Sequence, residues 1–217
     1  MLIQNKTISI LLADDHLLAC QGIRSILEKA PDMEIVGEAQ DGDETKQLVA
    51  ELRPNILLLD LKMPHMESPA ELEKWVRTNY PETNTLVLTG HDRDVYLSNM
   101  MEAGVSGYLD KKLRASQLIS AIRRAASGEI FFDKEQLERV RRWREETGNK
   151  WESLSNRERE VLQKLTEGED NNAIAASLEI KNNTVEKHLT NVYKKLGVTS
   201  RTEAAVWWLE KGGDFRN

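Results

Sequence analysis

Residues 56–60 read Ile-Leu-Leu-Leu-Asp, and this stretch decides the fold of the first half of the chain. An uninterrupted apolar run of this length is typical of a central strand in a parallel sheet, which helices cover on both faces. Four further strands are predicted, and amphipathic segments of helical period separate them, as at Leu17–Lys29. The strands are predicted at Ile8–Ala13, Glu34–Ala39, Ile56–Leu59, Thr85–Thr89 and Gly107–Leu109. The alternation predicts an α/β fold, a doubly wound (βα)5 domain.

The composition is that of a folded protein without a membrane span. Hydrophobic residues make up 40% of the 217, charged residues make up 30%, and the net charge is −6. The apolar runs are far shorter than the ~20 residues that a transmembrane helix needs, and the N-terminus lacks the apolar stretch of a signal peptide. We therefore expect a cytoplasmic protein that does not bind membranes. The single cysteine, Cys20, is predicted to lie in the core.

The pattern changes after Gly128, where the alternation of strands and helices stops. A charged helix is predicted at Lys134–Thr147, and Gly148 is expected to end it. Further on, Ser155 and Glu158 have the spacing of a capping box, and the strand signal largely disappears. The chain is therefore divided into a first domain at 1–128, a linker at 129–150 and an all-α domain at 151–217. Trp143 and Trp151 are interpreted either as packing residues between the domains or as surface anchors.

Polar side chains stand at the ends of four predicted strands, and they are Asp14, Asp15, Asp60, Thr89 and Lys111. In a parallel sheet these positions meet at the carboxyl edge, where ligands bind. Three carboxylates packed together repel one another, and a hard divalent cation that binds oxygen relieves this repulsion. A small octahedral ion that keeps waters and accepts phosphate oxygens suits such an open site. The sequence therefore predicts a Mg²⁺ site.

The same residues predict phosphoryl transfer to the central carboxylate. Asp60 can act as the nucleophile and form an aspartyl phosphate. Mg²⁺ and Lys111 would neutralise charge on the transferring oxygens, and Thr89 would donate a hydrogen bond to one of them. One aspartate after a strand is more often a turn residue or a helix cap. The prediction therefore depends on the whole set, each residue at a strand end and in the correct order.

The segments that carry these residues resemble the four signatures of response-regulator receiver domains. They read Leu-Leu-Ala-Asp14-Asp15-His, Leu-Leu-Leu-Asp60-Leu-Lys-Met-Pro64, Leu-Val-Leu-Thr89-Gly90 and Gly107-Tyr108-Leu-Asp-Lys111. The resemblance covers residues 8–128 and implies the flavodoxin-like version of the doubly wound fold. It also implies a set of Mg²⁺ ligands, which are Asp14, Asp15, Asp60 and the backbone carbonyl of Lys62. Thr89 and Tyr108 are implied as a switch pair, although an ordinary half-buried aromatic remains an alternative for Tyr108.

Two residues near this site depart from the receiver pattern. His65 stands where the family usually has glycine, and Asp110 places an acid beside Lys111. Either departure could alter phosphorylation kinetics, and neither removes a group that the chemistry requires.

The second domain contains two predicted helices joined by a short turn, at Asn172–Leu178 and Asn183–Leu196. One apolar stripe follows the second helix and consists of Val185, Leu189, Val192 and Leu196. A helix that is buried on one side and polar on the other, entered from a tight turn, suits the DNA major groove. A plain helical hairpin has the same pattern, so the detailed sequence is the better evidence. The segments around Arg157-Glu158, Thr184-Val185 and Arg201-Thr-Glu203-Ala204 closely resemble the DNA-binding domain of the LuxR/NarL type.

This second resemblance covers residues 151–210 and implies two groups of DNA contacts. The residues implied to face base edges are Glu186, Lys187 and Thr190, and those implied to hold phosphates are Thr184, Asn191 and Lys195. Many family members carry lysine at the position of Glu186. A carboxylate cannot bind phosphate but can accept a hydrogen bond from cytosine N4. We therefore expect a changed base preference at Glu186 rather than a loss of binding.

Together the two resemblances identify a two-component response regulator of the NarL/FixJ class. Phosphorylation at Asp60 is expected to control sequence-specific binding to double-stranded DNA and transcription. The expected partners are a sensor histidine kinase and a second copy of the chain after activation, and RNA polymerase is a further candidate. An alternative is a DNA-binding regulator whose receiver is never phosphorylated and serves for dimerisation. A phosphohydrolase is disfavoured because its general acid, commonly an aspartate two residues after the nucleophile, is replaced by Lys62. We expect a regulator, not an enzyme, whose receiver assists its own phosphorylation and dephosphorylation.

Overall fold

The structure is a computed structural model, and it describes residues 7–66, 68–90 and 92–209. The chain divides into two compact units, the first extending to Leu137 and the second beginning at Glu138. None of the described helices is both long and apolar enough to cross a membrane.

The first unit is built on a five-stranded parallel sheet with the order β2-β1-β3-β4-β5. Its strands are β1 (Ile8–Ala13), β2 (Met33–Ala39), β3 (Ile56–Leu59), β4 (Asn84–Thr89) and β5 (Gly107–Asp110). This order is the flavodoxin-like doubly wound topology, as the sequence predicted. All four side chains of β3 are fully buried, because the central strand is covered on both faces.

Five helices follow the strands of this unit. They are α1 (Leu17–Leu27), α2 (Gly42–Leu52), α3 (Pro69–Asn79), α4 (Asp94–Ala103) and α5 (Ala115–Ala126). The side chain of Asp41 caps α2 and that of Ser68 caps α3, each by accepting a hydrogen bond from a backbone N–H of the first turn. Cys20 is buried in the cluster between the sheet, α1 and α5, which confirms its prediction as a core residue.

The linker helix begins at the predicted residue but does not end at Gly148. Helix α6 (Lys134–Trp143) passes into a π-helical turn, Arg144–Gly148, and then into α7 (Asn149–Glu152). Gly148 keeps right-handed helical dihedral angles, and a Cβ there would lie 3.1 Å from the ring of Trp143. The prediction of a helix stop was wrong because this glycine makes room for an indole ring and does not adopt a left-handed conformation.

The described residues of the second unit form helices joined by short turns, without a strand. After α7 come α8 (Asn156–Thr166), α9 (Asn171–Ser177), α10 (Asn182–Leu196) and α11 (Arg201–Trp207). The predicted capping box of Ser155 and Glu158 opens α8, and Ser200 caps α11. Gly197 has φ +70° and ends α10 in the left-handed conformation that glycine adopts without strain.

Trp151 belongs to the core of the second unit, so its interpretation as a surface anchor was wrong. Its side chain is buried in a cluster with Leu162 and Leu196, and its ring lies 5.3 Å from that of Trp208. The guanidinium group of Arg159 stands 4.6 Å from the centre of the same ring. The sequence pattern alone could not place this tryptophan because its partners come from distant helices.

Candidate functional site

The carboxyl edge of the sheet brings the predicted acidic residues together. Asp14 and Asp15 follow β1, and Asp60 follows β3, which is the neighbouring strand. Ligand atoms of these three carboxylates and of His16 all lie within 4.8 Å of one another. Lys111, directly after β5, reaches the same place: its Nζ is 2.6 Å from Asp14 Oδ2 and 3.4 Å from Asp60 Oδ1. Three separate segments of the chain therefore form one small charged pocket.

Within this pocket, the Asp60 carboxylate has an oxygen that lacks a hydrogen bond to any described residue. Its side chain is 2% exposed, and Oδ1 has no hydrogen-bond partner within the described ranges. The ammonium group of Lys111 is at ion-pair distance only. Because burying a charged oxygen without a hydrogen bond is costly, this atom is prepared to accept a further cationic or donor group. Three carboxylates with a single lysine also leave the pocket with excess negative charge.

His16 is a member of this cluster that the sequence reasoning missed. Its Nδ1 is 2.7 Å from Asp15 Oδ1 and 3.2 Å from Asp14 Oδ1, and the backbone N–H of His16 also donates to Asp14. The signal was available, because His16 directly follows the acidic pair in the sequence. The imidazole side chain is 62% exposed and lies at the rim of the pocket.

The remaining predicted residues of the receiver lie on β4, on β5 and in the loop after β3. Thr89 is the last residue of β4 and is fully buried, and Tyr108 is the second residue of β5 and is 3% exposed. Tyr108 is thus buried, not half-buried as the alternative interpretation had it. Lys62 stands two residues after Asp60, with an exposed side chain.

The structure shows the local conformation and contacts of the two residues that depart from the receiver pattern. His65 has φ +53°, a left-handed conformation that favours glycine, which explains why glycine is usual there. The same loop approaches α2 so closely that a Cβ on Gly42 would lie 2.5 Å from the carbonyl oxygen of His65. Asp110 directs a carboxylate oxygen to the backbone N–H of Lys112, at 2.7 Å. Asp110 therefore stabilises the turn after β5.

In the second unit, α9 and α10 form the predicted helix-turn-helix. The apolar stripe of α10 is buried as predicted, and it consists of Val185, Leu189, Val192 and Leu196. The turn between the helices contains Glu179 in the left-handed conformation, at φ +54°. On the outer side of α10 the exposed residues are Glu186, Lys187, Thr190 and Asn191, whereas Thr184 is partly buried. One face of α10 is thus free within its unit to meet a ligand.

Two basic residues of this region have partners inside the unit. Nζ of Lys195 lies 2.7 Å from Glu158 Oε2, and the same oxygen accepts from the backbone N–H of Ser155 at 2.7 Å. Burial raises the pKa of Glu158, but the hydrogen bonds from Lys195 and Ser155 outweigh burial and hold this pKa below its usual value. Arg201 donates to the carbonyl of Glu169 and to the side chain of Asn171. Lys195 and Arg201 therefore also serve to hold the helices together.

Comparison with known proteins identifies the family of each unit. Residues 10–123 match the family described as the response regulator receiver domain, and residues 152–208 match the luxR family of bacterial regulatory proteins. The class is therefore a response regulator with a receiver and a LuxR-type DNA-binding domain. Similar proteins include the transcriptional regulatory protein LiaR of Bacillus subtilis, 36% identical over 92% of this chain and 96% of that protein. The oxygen regulatory protein NreC of Staphylococcus aureus is 36% identical over 93% and 97%. The chain belongs to the NarL/FixJ-type response regulators.

Solved structures contain the same two folds in one chain. The response regulator ChrA of a heme-sensing two-component system is 32% identical, with a TM-score of 0.54 over 94% of this chain and 97% of that one. RcsB of Salmonella enterica serovar Typhimurium, solved on promoter rprA with the phosphomimetic BeF3−, is 25% identical, with a TM-score of 0.59 over 93% and 98%.

Proposed function

We propose that Asp60 accepts a phosphoryl group and that its phosphorylation controls the binding of the second unit to double-stranded DNA. The single observation that carries the proposal is the state of the Asp60 carboxylate. It is buried, its Oδ1 lacks a hydrogen bond among the described residues, and it lies beside other carboxylates and Lys111 at the ligand-binding edge of the sheet. A carboxylate in this position can attack phosphorus and release the leaving group of a phosphodonor.

The donor set of the pocket fits Mg²⁺. The residues that would hold the ion are Asp14, Asp15, Asp60 and the backbone carbonyl of Lys62, all of which offer oxygen, the ligand that Mg²⁺ prefers. The unsatisfied Oδ1 of Asp60 supports this fit. When bound, the ion supplies positive charge that neutralises oxygens of the phosphoryl group.

Side chains around Asp60 have distinct roles in this proposal. Lys111 already neutralises Asp14 and can turn towards a phosphoryl oxygen, which would stabilise the charge that develops during transfer. The Thr89 hydroxyl would donate to the phosphoryl group, and the buried ring of Tyr108 on the adjacent strand would respond to that movement. The receiver would thus assist both its own phosphorylation and the hydrolysis of the product.

For the DNA-binding unit, we propose that α10 enters the major groove. The exposed residues Glu186, Lys187 and Thr190 would face base edges, and Thr184, Asn191 and Lys195 would hold phosphates. Support comes from the buried stripe on the opposite side of the same helix, which fixes the side that is left for DNA. RcsB, with the same fold, has been solved on a promoter in the presence of a phosphomimetic.

Glu186 is proposed to favour cytosine, because its exposed carboxylate can accept a hydrogen bond from cytosine N4. A bound-sequence selection with the wild-type chain and with Glu186→Lys tests this. The expected result is a change of preference at one base position, with affinity retained. The same preferred sequence for both proteins would refute the assignment.

The proposal implies partners and a location. A sensor histidine kinase would phosphorylate Asp60, two copies of the phosphorylated chain would bind paired half-sites, and RNA polymerase is a further candidate partner. A regulator of chromosomal DNA works in the cytoplasm, so we place the protein there. We assign residues 1–128 to the receiver, 129–150 to the linker and 151–217 to the DNA-binding domain.

Phosphate incorporation tests the central proposal. The full chain would be incubated with acetyl phosphate and Mg²⁺, and the phosphorylated fraction would be read by intact-protein mass spectrometry. Wild type and Asp110→Asn should both gain one phosphoryl group, since Asp110 faces the turn. Asp60→Asn should gain none. Equal incorporation by Asp60→Asn, or none by wild type, would overturn the proposal.

A further inference from the structure

The side-chain amide of Gln136 forms hydrogen bonds at both of its ends. Its Oε1 accepts from the backbone N–H of Asp133 at 3.0 Å, and its Nε2 donates to the backbone carbonyl of Tyr108 at 2.8 Å. Its own backbone N–H donates to Asp133 Oδ1 at 2.8 Å, which completes a capping box at the start of α6. A single half-buried side chain thus joins the first turn of the linker helix to the middle of β5.

The chain just before α6 is fixed to the same strand. Phe131 donates its backbone N–H to the carbonyl of Ser106 at 2.8 Å. The ring of Phe131 packs over Gly107 so closely that a Cβ on this glycine would lie 2.8 Å from it, and Arg124 stands 4.0 Å above the ring centre. Residues 131–136 therefore contact Ser106, directly before β5, and the first two residues of the strand.

These contacts cover an edge of the sheet. β5 is the last strand in the order, so within the described part of the chain the backbone groups on its outer side have no neighbouring strand to bind. The linker supplies a partner for one of them, the carbonyl of Tyr108, and for the carbonyl of Ser106 directly before the strand. A rotation of the peptide at Tyr108 would break the bond to Gln136 unless the first turn of α6 moved with it.

We propose that Gln136 is a positioning residue that transmits the state of Tyr108 to the linker helix. The inference rests on the proposed function, in which Tyr108 responds to phosphorylation of Asp60. Helix α6 continues past Leu137 into the second unit, so a change at its first turn is passed along a continuous helix. Coupling through this bond adds to the phosphorylation-dependent gain in DNA affinity without touching the phosphoryl site.

Two variants separate this bond from the helix cap. Gln136→Glu keeps an oxygen for the N–H of Asp133 but replaces the donor that binds Tyr108 with a carboxylate oxygen. Asp133→Ala removes the oxygen that accepts from the Gln136 backbone and leaves the donor to Tyr108 in place. Gln136→Glu therefore removes the link to β5 and keeps the cap of α6, whereas Asp133→Ala weakens the cap and keeps the link.

The test measures DNA affinity of each full-length variant with and without acetyl phosphate, together with phosphate incorporation. Incorporation should equal wild type in both variants, since neither residue contacts the acidic pocket. The affinity gain on phosphorylation should fall about fivefold in Gln136→Glu, as expected for the loss of one hydrogen bond that differs between two states, and change less than about twofold in Asp133→Ala. Hydrogen exchange of residues 134–143 should respond to phosphorylation in wild type and not in Gln136→Glu.

Three outcomes would overturn the inference. An unchanged affinity gain and exchange response in Gln136→Glu would show that the bond carries no coupling, while the proposed function stands. An equal loss in both variants would assign the effect to the stability of the first turn. A wild-type chain that takes up no phosphate, or whose DNA affinity ignores it, would overturn the proposed function and this inference together.

Discussion

Glu73 on α3 is a buried carboxylic acid that makes the stability of the receiver depend on pH. It is fully buried, and neither carboxylate oxygen has a hydrogen-bond partner within the described ranges. Burial raises the pKa of Glu73 from 4.5 to about 7, with the nearby Thr85 hydroxyl and the Arg77 guanidinium acting in the opposite direction. At a pH between these two pKa values, the folded protein therefore holds a proton on Glu73 that the unfolded chain has already released.

The sign and size of the effect follow from these two pKa values. Below the unfolded pKa both states are protonated, so there is no penalty. Between the two values the unfolding free energy falls as pH rises, and above the folded value the loss is complete, at about 3 kcal/mol for a shift of this size. Roughly 1 kcal/mol of that loss is already present near pH 5, so about 2 kcal/mol should disappear between about pH 5 and about pH 8.

Glu73→Gln removes the titration and keeps the shape of the side chain. The variant should be more stable than wild type by roughly 1 kcal/mol near pH 5 and by about 3 kcal/mol near pH 8. Cys20 is the single cysteine and is buried in this unit, so its labelling by dithiodipyridine after equilibration in urea counts unfolded receivers in the full chain. Glu71→Gln is the matched control, because the Glu71 side chain on the same helix is 69% exposed. A pH dependence that Glu73→Gln leaves unchanged would refute the reasoning.

Three further changes are predicted from local geometry. His65→Gly should stabilise the receiver by roughly 0.5–1 kcal/mol in urea unfolding, since glycine adopts the left-handed conformation without strain. Gly42→Ala should destabilise it by about 2 kcal/mol, because the added carbon meets the backbone of the loop after β3. Lys195→Ala should weaken binding to all DNA sequences about equally and flatten the salt dependence. It should also cost about 1 kcal/mol of stability through Glu158, a loss that Lys194→Ala, at an exposed position without a described ion pair, should not show in thermal unfolding.

The sequence predicted the sheet and its acidic edge because both depend on local patterns. Each strand is a short apolar run, and the parallel topology brings the strand ends to one edge without any knowledge of distant contacts. Asp14 and Asp60 could thus be placed together before any distance was known. The capping box of Ser155 and Glu158 was predicted for the same reason, since it is complete within four residues.

Features that depend on distant packing could not be predicted in this way. Glu73 lies between Leu72 and Val76, both buried, yet a glutamate at such a position is ordinarily expected to face solvent. The capping spacing of Ser155 and Glu158 gave no sign that Lys195, on another helix, would share the same carboxylate. Gly148 resembled a helix stop because the local pattern does not describe the ring of Trp143, which would lie 3.1 Å from a Cβ at this glycine.

The first turn of the linker helix α6 is structurally part of the receiver. A charged helix such as α6 is predicted from its own sequence as a solvent-exposed connector, and its first turn carries its own cap. Tertiary contact changes that interpretation, since the amide that closes the cap at Asp133 is also the group that binds the carbonyl of Tyr108. Because one side chain binds both groups, a movement of the helix cap disturbs the contact with β5, and a movement of β5 disturbs the cap. Coupling between β5 and α6 therefore requires no large interface. One side chain that forms a hydrogen bond to each of them is sufficient.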